Sequence, residues 1–325
     1  MLTKEHFDLI EKAAISCIEI ESSAISNLRS SIDQSFLNII EAIFNSHGRV
    51  VVTGIGKSAI IAQKIVATLN STGTPALFMH AADAIHGDLG MIQANDLVMC
   101  ISKSGETPEI KVLIPLVKSM GSKLIALVSN EHSTLAKQAD YVIITPVSQE
   151  AEPNNLAPTT STTVQLVMGD AIAVALLAIR GFSSKDFAQF HPGGSLGKQL
   201  YLKVSDVYPN HEKPFVSIHA NIKEVIVEMT SKRLGVTAVL DDDKKLAGII
   251  TDGDLRRMLQ KSVSLDSLTA ADIMTENPKT ISEYALAIEA FKILKDRNIS
   301  QILVVENDQF LGVIHIHDLI KEGMI

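Results

Sequence analysis

The sequence contains no tryptophan, and aromatic residues make up only 4% of its 325 residues. The hydrophobic core must therefore consist mainly of Ile, Leu, Val and Ala. Cysteine is scarce as well: Cys17 and Cys100 each stand among apolar residues, which indicates buried free thiols rather than a disulfide framework. This cysteine usage fits a reducing compartment, so we expect a cytoplasmic protein.

An excess of basic residues is also missing. The chain has 29 Lys and Arg against 37 Asp and Glu, a formal net charge of -8 at pH 7. This balance argues against nucleic acid as the main partner, whereas a small phosphorylated ligand needs only a local positive pocket. The N-terminus lacks an apolar signal core, and the longest clean apolar run, Ala171 to Ile179, is too short to cross a bilayer. We therefore expect a soluble protein without a membrane partner.

Hydrophobic periodicity predicts an α/β fold. Apolar residues at helical spacing predict helix over 7–43, with a bend or break at Ser30 and Ser31. Short apolar runs then alternate with helical stretches, which is typical of a parallel sheet covered by helices on both faces. The predicted strands are 50–52, 76–79, 97–101, 124–128 and 141–144, and the predicted helices are 58–69, 108–120, 133–139 and 161–180, with a further short element starting at 183.

The last third of the chain repeats itself. Residues 248–255 match residues 312–319, and 205–208 match 271–274, so this region holds two copies of a unit of about sixty residues. Each copy has the order helix, strand, turn, strand, helix, and such copies usually pack together with pseudo-twofold symmetry. We predict three parts with the boundaries 1–203, 204–265 and 266–325.

Two loops that follow predicted strands have residues suited to binding a phosphate. The first holds Gly54, Gly56, Lys57 and Ser58 and opens a helix, where backbone N–H groups favour an anion. Its glycine spacing matches neither a P-loop nor the dinucleotide fingerprint.

The second loop supplies three hydroxyl groups, from Ser102, Ser104 and Thr107, ahead of Pro108 at a helix start. Hydroxyls and backbone N–H groups of this kind can wrap a phosphate monoester, but the same residues can also serve only as helix caps. Two such loops on neighbouring strands favour a binding site, because ligands in open α/β sheets bind beyond the strand C-termini.

Together with His86-Gly87-Asp88, the stretch 156–163 and the turn His191-Pro192-Gly193-Gly194, these loops resemble the sugar isomerase (SIS) domain of the arabinose-5-phosphate isomerases. The tail, with Thr251-Asp252-Gly253-Asp254, resembles the cystathionine-β-synthase-type (CBS) pair that many of these isomerases carry. The resemblance implies a flavodoxin-like SIS sheet followed by an α+β CBS pair. It also implies interconversion of D-ribulose 5-phosphate and D-arabinose 5-phosphate through an enediol, for Kdo and lipopolysaccharide synthesis, with no cofactor required.

Matching the family's motifs onto this chain implies a catalytic set of Lys57, Glu109, Glu150 and His191. The resemblance implies substrate contacts from Gly54, Gly56, Ser58, His86, Ser102, Ser104 and Thr107. We expect Glu109 and His191 to move the proton, with their division of labour open. The alternatives are a helix N-terminal acid for Glu109, a solvated lysine for Lys57 and a surface carboxylate for Glu150. The family's His segment is expected to enter a neighbouring subunit's site, which implies a homotetramer.

The chain departs from the family pattern at two places. Lys103 stands between the two loop serines, where relatives commonly have a small polar residue, and Asn154-Asn155 precede Leu156 in place of a more apolar or Gly-containing stretch. Both departures leave the identity of the sugar more open.

CBS pairs often bind adenine nucleotides through a hydroxyl residue and an Asp three positions later. Thr251 and Asp254 match this pattern, whereas His315 replaces the hydroxyl residue of the second copy and Asp318 remains. The resemblance therefore implies a nucleotide effector at the first copy, and a pair that only supports oligomerisation is the alternative.

Two other functions stay open at this point, a hexose-phosphate isomerase of the same fold and a non-catalytic sugar-phosphate sensor. The acid and base groups favour catalysis, because a sensor needs the phosphate loops but not those groups. A metal site is not predicted, since no carboxylate or cysteine cluster completes the pair His315 and His317.

Overall fold

The computed structural model describes residues 1–260 and 265–324. The chain divides into two compact units, Met1–Phe190 and His191–Ile325.

The first unit begins with two helices, α1 (Lys4–Asn27) and α2 (Gln34–Asn45), joined by a 3-10 turn at Leu28–Ser31. The predicted bend at Ser30 and Ser31 is thereby confirmed. The apolar stripe is buried on α2 but not on α1: Phe7, Ile10 and Ile18 are 59%, 53% and 69% exposed. The single chain therefore leaves the stripe of α1 uncovered.

Five parallel strands follow, in the order β2-β1-β3-β4-β5. The strands are β1 (Val50–Gly54), β2 (Ala76–His80), β3 (Leu97–Ser102), β4 (Lys123–Val128) and β5 (Tyr141–Ile144). The helices are α3 (Lys57–Ser71), α4 (Ala81–Ala84), α5 (Pro108–Ser119), α6 (Thr134–Gln138), α7 (Thr160–Ile179) and α8 (Ser184–Phe190), with a 3-10 helix at Asp88–Met91. The predicted α/β sheet is confirmed, and each predicted element lies within about two residues of an observed one.

Helices cover both faces of this sheet. Val50 and Val52 of β1 point into a core shared with α2, α3 and α7, whereas Val51 points into a core shared with α4, α5 and α6. Because both faces are buried, the strands are continuously apolar rather than alternating.

Helix α7 extends the apolar run 171–179 to a helix of 20 residues, long and apolar enough to cross a membrane by length and composition. It is alone in this among the helices of the described ranges. Val164, Met168, Ile172 and Leu176 of α7 are buried against the sheet, as in a core helix of a globular domain.

The second unit contains two similar copies after a short helix. Its helices are α9 (Ser195–Tyr201), α10 (Ile222–Lys232), α11 (Asp252–Gln260), α12 (Ala270–Ile273), α13 (Ala287–Asp296) and α14 (Ile316–Lys321), with 3-10 turns at Val204–Asp206, Tyr208–Asn210 and Leu265–Ser267. Its strands are β6 (Phe215–Ser217), β7 (Val236–Leu240), β8 (Leu246–Thr251), β9 (Thr275–Glu276), β10 (Thr280–Ile281), β11 (Gln301–Glu306) and β12 (Gln309–His315). They form two sheets, in the orders β6-β7-β8-β9 and β10-β11-β12.

The duplication is visible in a shared irregularity. The antiparallel pair β7–β8 shifts register between Val239 and Leu240, and the pair β11–β12 shifts at the matching place, between Val304 and Val305. Val236 of the first copy and Leu303 of the second share one buried cluster, so the copies pack together.

Residues 191–203, which the sequence assigns to the first part of the chain, belong to the second unit. Lys198 pairs with Glu322 at 2.8 Å, and the Gln199 amide donates to the Met324 carbonyl. The division by contacts thus falls before His191, and the boundary at 203 stays a prediction for where the first copy begins. The boundary at 265 also stays a prediction and adjoins residues 261–264, which lie outside the described residues.

Candidate active site

The two predicted phosphate loops lie at neighbouring strand ends. Gly54, the last residue of β1, is paired with Ile101 of β3, and the chain leaves these strands toward opposite faces of the sheet. The strand order reverses between β1 and β3, and ligands in open α/β sheets bind at the C-terminal strand ends of such a switch point.

The first loop requires both of its glycines. A Cβ on Gly54 would lie 3.0 Å from the backbone of Ser58, and Gly56 has a φ of +57° with open space around its Cα. Gly56 directly precedes α3, whose first N–H groups have no partner within the helix and suit an anion. Lys57 is exposed at the start of α3, and Ser58 Oγ donates to Gln165 Oε1 at 3.2 Å.

The serines of the second loop close the loop itself. Ser102 Oγ accepts from the Gly105 N–H at 3.0 Å, and Ser104 Oγ accepts from the Glu106 N–H at 3.2 Å. The residue that precedes α5 is Thr107, whose side chain makes no capping hydrogen bond. The interpretation of these hydroxyls as mere helix caps therefore does not describe this loop.

Glu106 anchors the second loop to α6. Its carboxylate accepts from the N–H and hydroxyl of Thr134 and pairs with Lys111, and the Lys111 hydrogen bond in particular lowers the pKa of Glu106 to about 2. Sequence reasoning missed this residue, because nothing local indicates its contact with Thr134.

Glu109 is the second residue of α5, as predicted. Its Oε2 is buried and has no hydrogen-bond partner among the described residues. A helix N-terminal position explains a carboxylate here, but it does not explain a buried oxygen without a donor, which is unfavourable unless a ligand supplies one. The position suits an acceptor of a substrate proton.

Glu150 is not the surface carboxylate that one interpretation expects. The residue is 3% exposed, and its Oε2 accepts from the N–H groups of Thr159 and Ser161 at 2.8 and 3.1 Å. Its Oε1 accepts from Lys103 Nζ at 2.6 Å. Burial alone would raise the pKa of Glu150, but the hydrogen bonds from Lys103 and Ser161 outweigh burial and hold this pKa at about 2. Glu150 is therefore a fixed anion at the N-terminus of α7.

The two histidines of the predicted site belong to other segments of the chain. His86 is exposed in the turn between α4 and the 3-10 helix Asp88–Met91. His191 is the first residue of the second unit, in a tight turn where its carbonyl accepts from the Gly194 N–H and leaves no room for a Cβ on Gly197. The first unit thus contains the two loops, Lys57, Glu109 and Glu150, and His191 belongs to the second unit.

Buried polar side chains beneath the loops were missed as well. Thr53 Oγ1 and Gln165 Nε2 are buried without a partner in the described part of the chain, and both residues are 0% exposed. Thr53 is the polar residue of an otherwise apolar strand, a signal that the sequence does contain.

The predicted nucleotide residues form a closed cluster in the first copy. Asp254 accepts from the Thr251 N–H and hydroxyl at 2.8 and 2.6 Å, and from Arg257 at 2.5 Å, beside a cavity of about 310 Å³. In the second copy, Asp318 accepts from the His315 N–H and lies 2.6 Å from His211 Nε2. Arg257 therefore contacts Oδ1 of Asp254, and His211 contacts Oδ2 of Asp318.

Comparison with known proteins agrees with this architecture. The SIS domain family matches residues 42–175, and the CBS domain family matches residues 204–261 and 270–324. Arabinose 5-phosphate isomerase KdsD of Yersinia pestis is 46% identical over 316 residues, which cover 97% of this chain and 96% of the relative. The chain belongs to the arabinose 5-phosphate isomerase family.

Arabinose 5-phosphate isomerase KdsD of Pseudomonas aeruginosa is 45% identical over 327 residues, the full length of both chains. The solved structure of Escherichia coli CFT073 c3406 in complex with arabinose 5-phosphate is 42% identical, with a TM-score of 0.55 over 59% of this chain and 100% of that chain. The predicted family and the predicted fold class of both regions are confirmed.

Proposed function

We propose that the protein is an aldose–ketose isomerase that interconverts D-ribulose 5-phosphate and D-arabinose 5-phosphate. Membership of the arabinose 5-phosphate isomerase family supports the reaction class. The observation that carries the proposal is the unpartnered buried oxygen of Glu109, two residues after the second of the predicted phosphate loops at the ends of β1 and β3. A sensor would need the loops but would have no use for such a carboxylate.

The loops suit the phosphate group. We assign its contacts to the N–H groups and side chains of Gly54, Gly56, Ser58, Ser102, Ser104 and Thr107, with His86 at the sugar. Lys57, exposed at the start of α3, supplies a positive charge near the open N-terminus of the helix. This arrangement leaves the sugar carbons to be reached by Glu109.

The reaction removes a proton from one of the carbons C1 and C2 and adds a solvent-exchangeable proton to the other. Starting from the aldose, a base removes the proton on C2 and the C1 oxygen gains one, which gives an enediol; a proton then returns to C1 and the C2 hydroxyl becomes a carbonyl. Glu109 and His191 are the proposed proton carriers, Lys57 stabilises the developing oxyanion, and Glu150 holds the site's geometry as a fixed anion.

We propose a homotetramer in which His191 completes the site of a neighbouring subunit. The uncovered apolar stripe of α1, with Phe7, Ile10 and Ile18, supports association of copies, because a stripe of this size is unfavourable in water.

The further proposals are a cytoplasmic location, a supply of arabinose 5-phosphate to Kdo and lipopolysaccharide synthesis, no required cofactor, and a nucleotide effector at Thr251 and Asp254.

The experiment is turnover of a panel of pentose 5-phosphates and hexose 6-phosphates by the purified protein, followed by NMR. Interconversion confined to arabinose 5-phosphate and ribulose 5-phosphate supports the proposal. Turnover of a hexose phosphate instead would assign a different isomerase of the same fold. Binding of these sugars without any turnover would assign a sensor.

A further inference from the structure

Lys103 occupies the centre of the second phosphate loop and yet turns its charge toward the protein. Its Nζ lies 2.6 Å from Glu150 Oε1, and the Lys103 side chain is 43% exposed whereas that of Glu150 is 1% exposed. The Lys103 carbonyl also accepts from the Ser129 N–H just after β4. The loop is therefore held at its backbone by one strand end and at its side chain by a buried anion.

Glu150 also binds the start of α7, so it connects Lys103 to that helix. Its second oxygen accepts from the N–H groups of Thr159 and Ser161 at the start of that helix, and its own N–H donates to Asn155 Oδ1 at 2.6 Å. One turn further along α7, Gln165 accepts from Ser58 of the first loop. The first two turns of α7 thus contact both phosphate loops through buried polar groups.

We propose that Lys103 is a positioning residue for the isomerase reaction, which acts through Glu150 by clasping the second phosphate loop to the N-terminus of α7. The inference rests on the proposed function. A direct phosphate ligand is the competing role for this lysine. The contact favours the clasp, because moving the ammonium to a phosphate would leave the buried Glu150 without its cation.

The test is a double-mutant cycle with Lys103→Met, Glu150→Gln and the combined variant, measured as kcat and KM for ribulose 5-phosphate. We expect Lys103→Met to lower kcat by about 10- to 100-fold with KM within about threefold, because a displaced loop misplaces the sugar. Lys103→Arg should recover most of the activity. In the Glu150→Gln background, Lys103→Met should cause little further loss.

The matched control is Lys123→Met. Lys123 also pairs with a carboxylate of the first unit, Asp140 at 3.1 Å, but at the N-terminal end of β4, away from the loops. This variant should keep wild-type kcat and KM. The acid limb of the kcat profile should move to higher pH in Lys103→Met, since Glu150 loses its cation, and should stay in place in Lys103→Arg and Lys123→Met.

If Lys103→Met raises KM by the same factor in the wild-type background and in the Glu150→Gln background, the proposal is wrong and Lys103 is a phosphate ligand. Unchanged kcat in Lys103→Met would also overturn it. The same cycle can be measured as thermal unfolding midpoints, which needs no substrate. Non-additive effects of the two substitutions on the midpoint support the contact between Lys103 and Glu150, and additive effects refute it. Absence of turnover by the wild type would instead refute the proposed function, and the unfolding cycle would still decide the clasp.

Discussion

Replacing Glu150 by Gln removes a charge that the structure holds at an unusually low pKa, about 2 against an ordinary 4.5. Because the side chain is almost fully buried, the difference between these two values corresponds to about 3 kcal/mol of folding free energy at neutral pH. The Gln side chain also presents an NH2 group either to Lys103 or to the N–H donors of Thr159 and Ser161, where an acceptor is needed. We expect Glu150→Gln to lower the free energy of unfolding by about 2–4 kcal/mol at pH 7.

The pH dependence gives a second check on the same substitution. A carboxylate with a lowered folded-state pKa contributes stability that is complete above its unfolded pKa of 4.5 and is lost as the pH falls toward about 2. The difference between wild type and Glu150→Gln should therefore be full at pH 7 and shrink below pH 4.5. The assay is urea unfolding of the full chain at fixed protein concentration from pH 7 downward. Equal stability of the two proteins at pH 7, or a difference that grows in acid, would refute this reasoning.

Three further predictions concern the loops and the second unit. Glu109→Gln should lower kcat in steady-state assays by about 10²- to 10⁴-fold, because the proposed base is lost. The melting temperature in calorimetry should change little, because the buried oxygen has no hydrogen bond to lose. An active variant would exclude Glu109 as the base. Gly105→Ala should destabilise the protein by about 1–3 kcal/mol in urea unfolding, since Gly105 has a φ of +65° and a Cβ there would lie 2.3 Å from Ser133 Oγ; wild-type stability would contradict the tight loop. Isothermal calorimetry should detect AMP binding that Asp254→Ala abolishes and that Arg257→Met strengthens, because Arg257 now occupies the Asp254 carboxylate; no heat with either adenine or cytidine nucleotides would exclude the effector.

The sheet and its loops were predictable because their signals are local. Three valines followed by a glycine-rich turn predict a buried strand that enters a ligand loop, and β1 with Gly54 and Gly56 has that structure. The uncovered stripe of α1 was not predictable, because periodicity identifies an apolar face of a helix but not the surface that covers it.

The contacts of the site's carboxylates were also not predictable from the sequence. Glu150 stands close to Glu152 in the sequence and looks like a surface residue, but it forms an ion pair with Lys103, 47 positions earlier. Likewise Ser58 and Gln165 are 107 positions apart. Pairings over such separations arise from the order of strands in the sheet, which single-chain periodicity does not encode.

The central claim, proton transfer through an enediol at this site, is tested most directly by incubating ribulose 5-phosphate with the enzyme in D2O and following the products by NMR. The account predicts arabinose 5-phosphate that carries solvent deuterium at C2, formed by the wild type and lost with Glu109→Gln. Arabinose 5-phosphate formed without deuterium, or no interconversion of the two pentose phosphates, would contradict it.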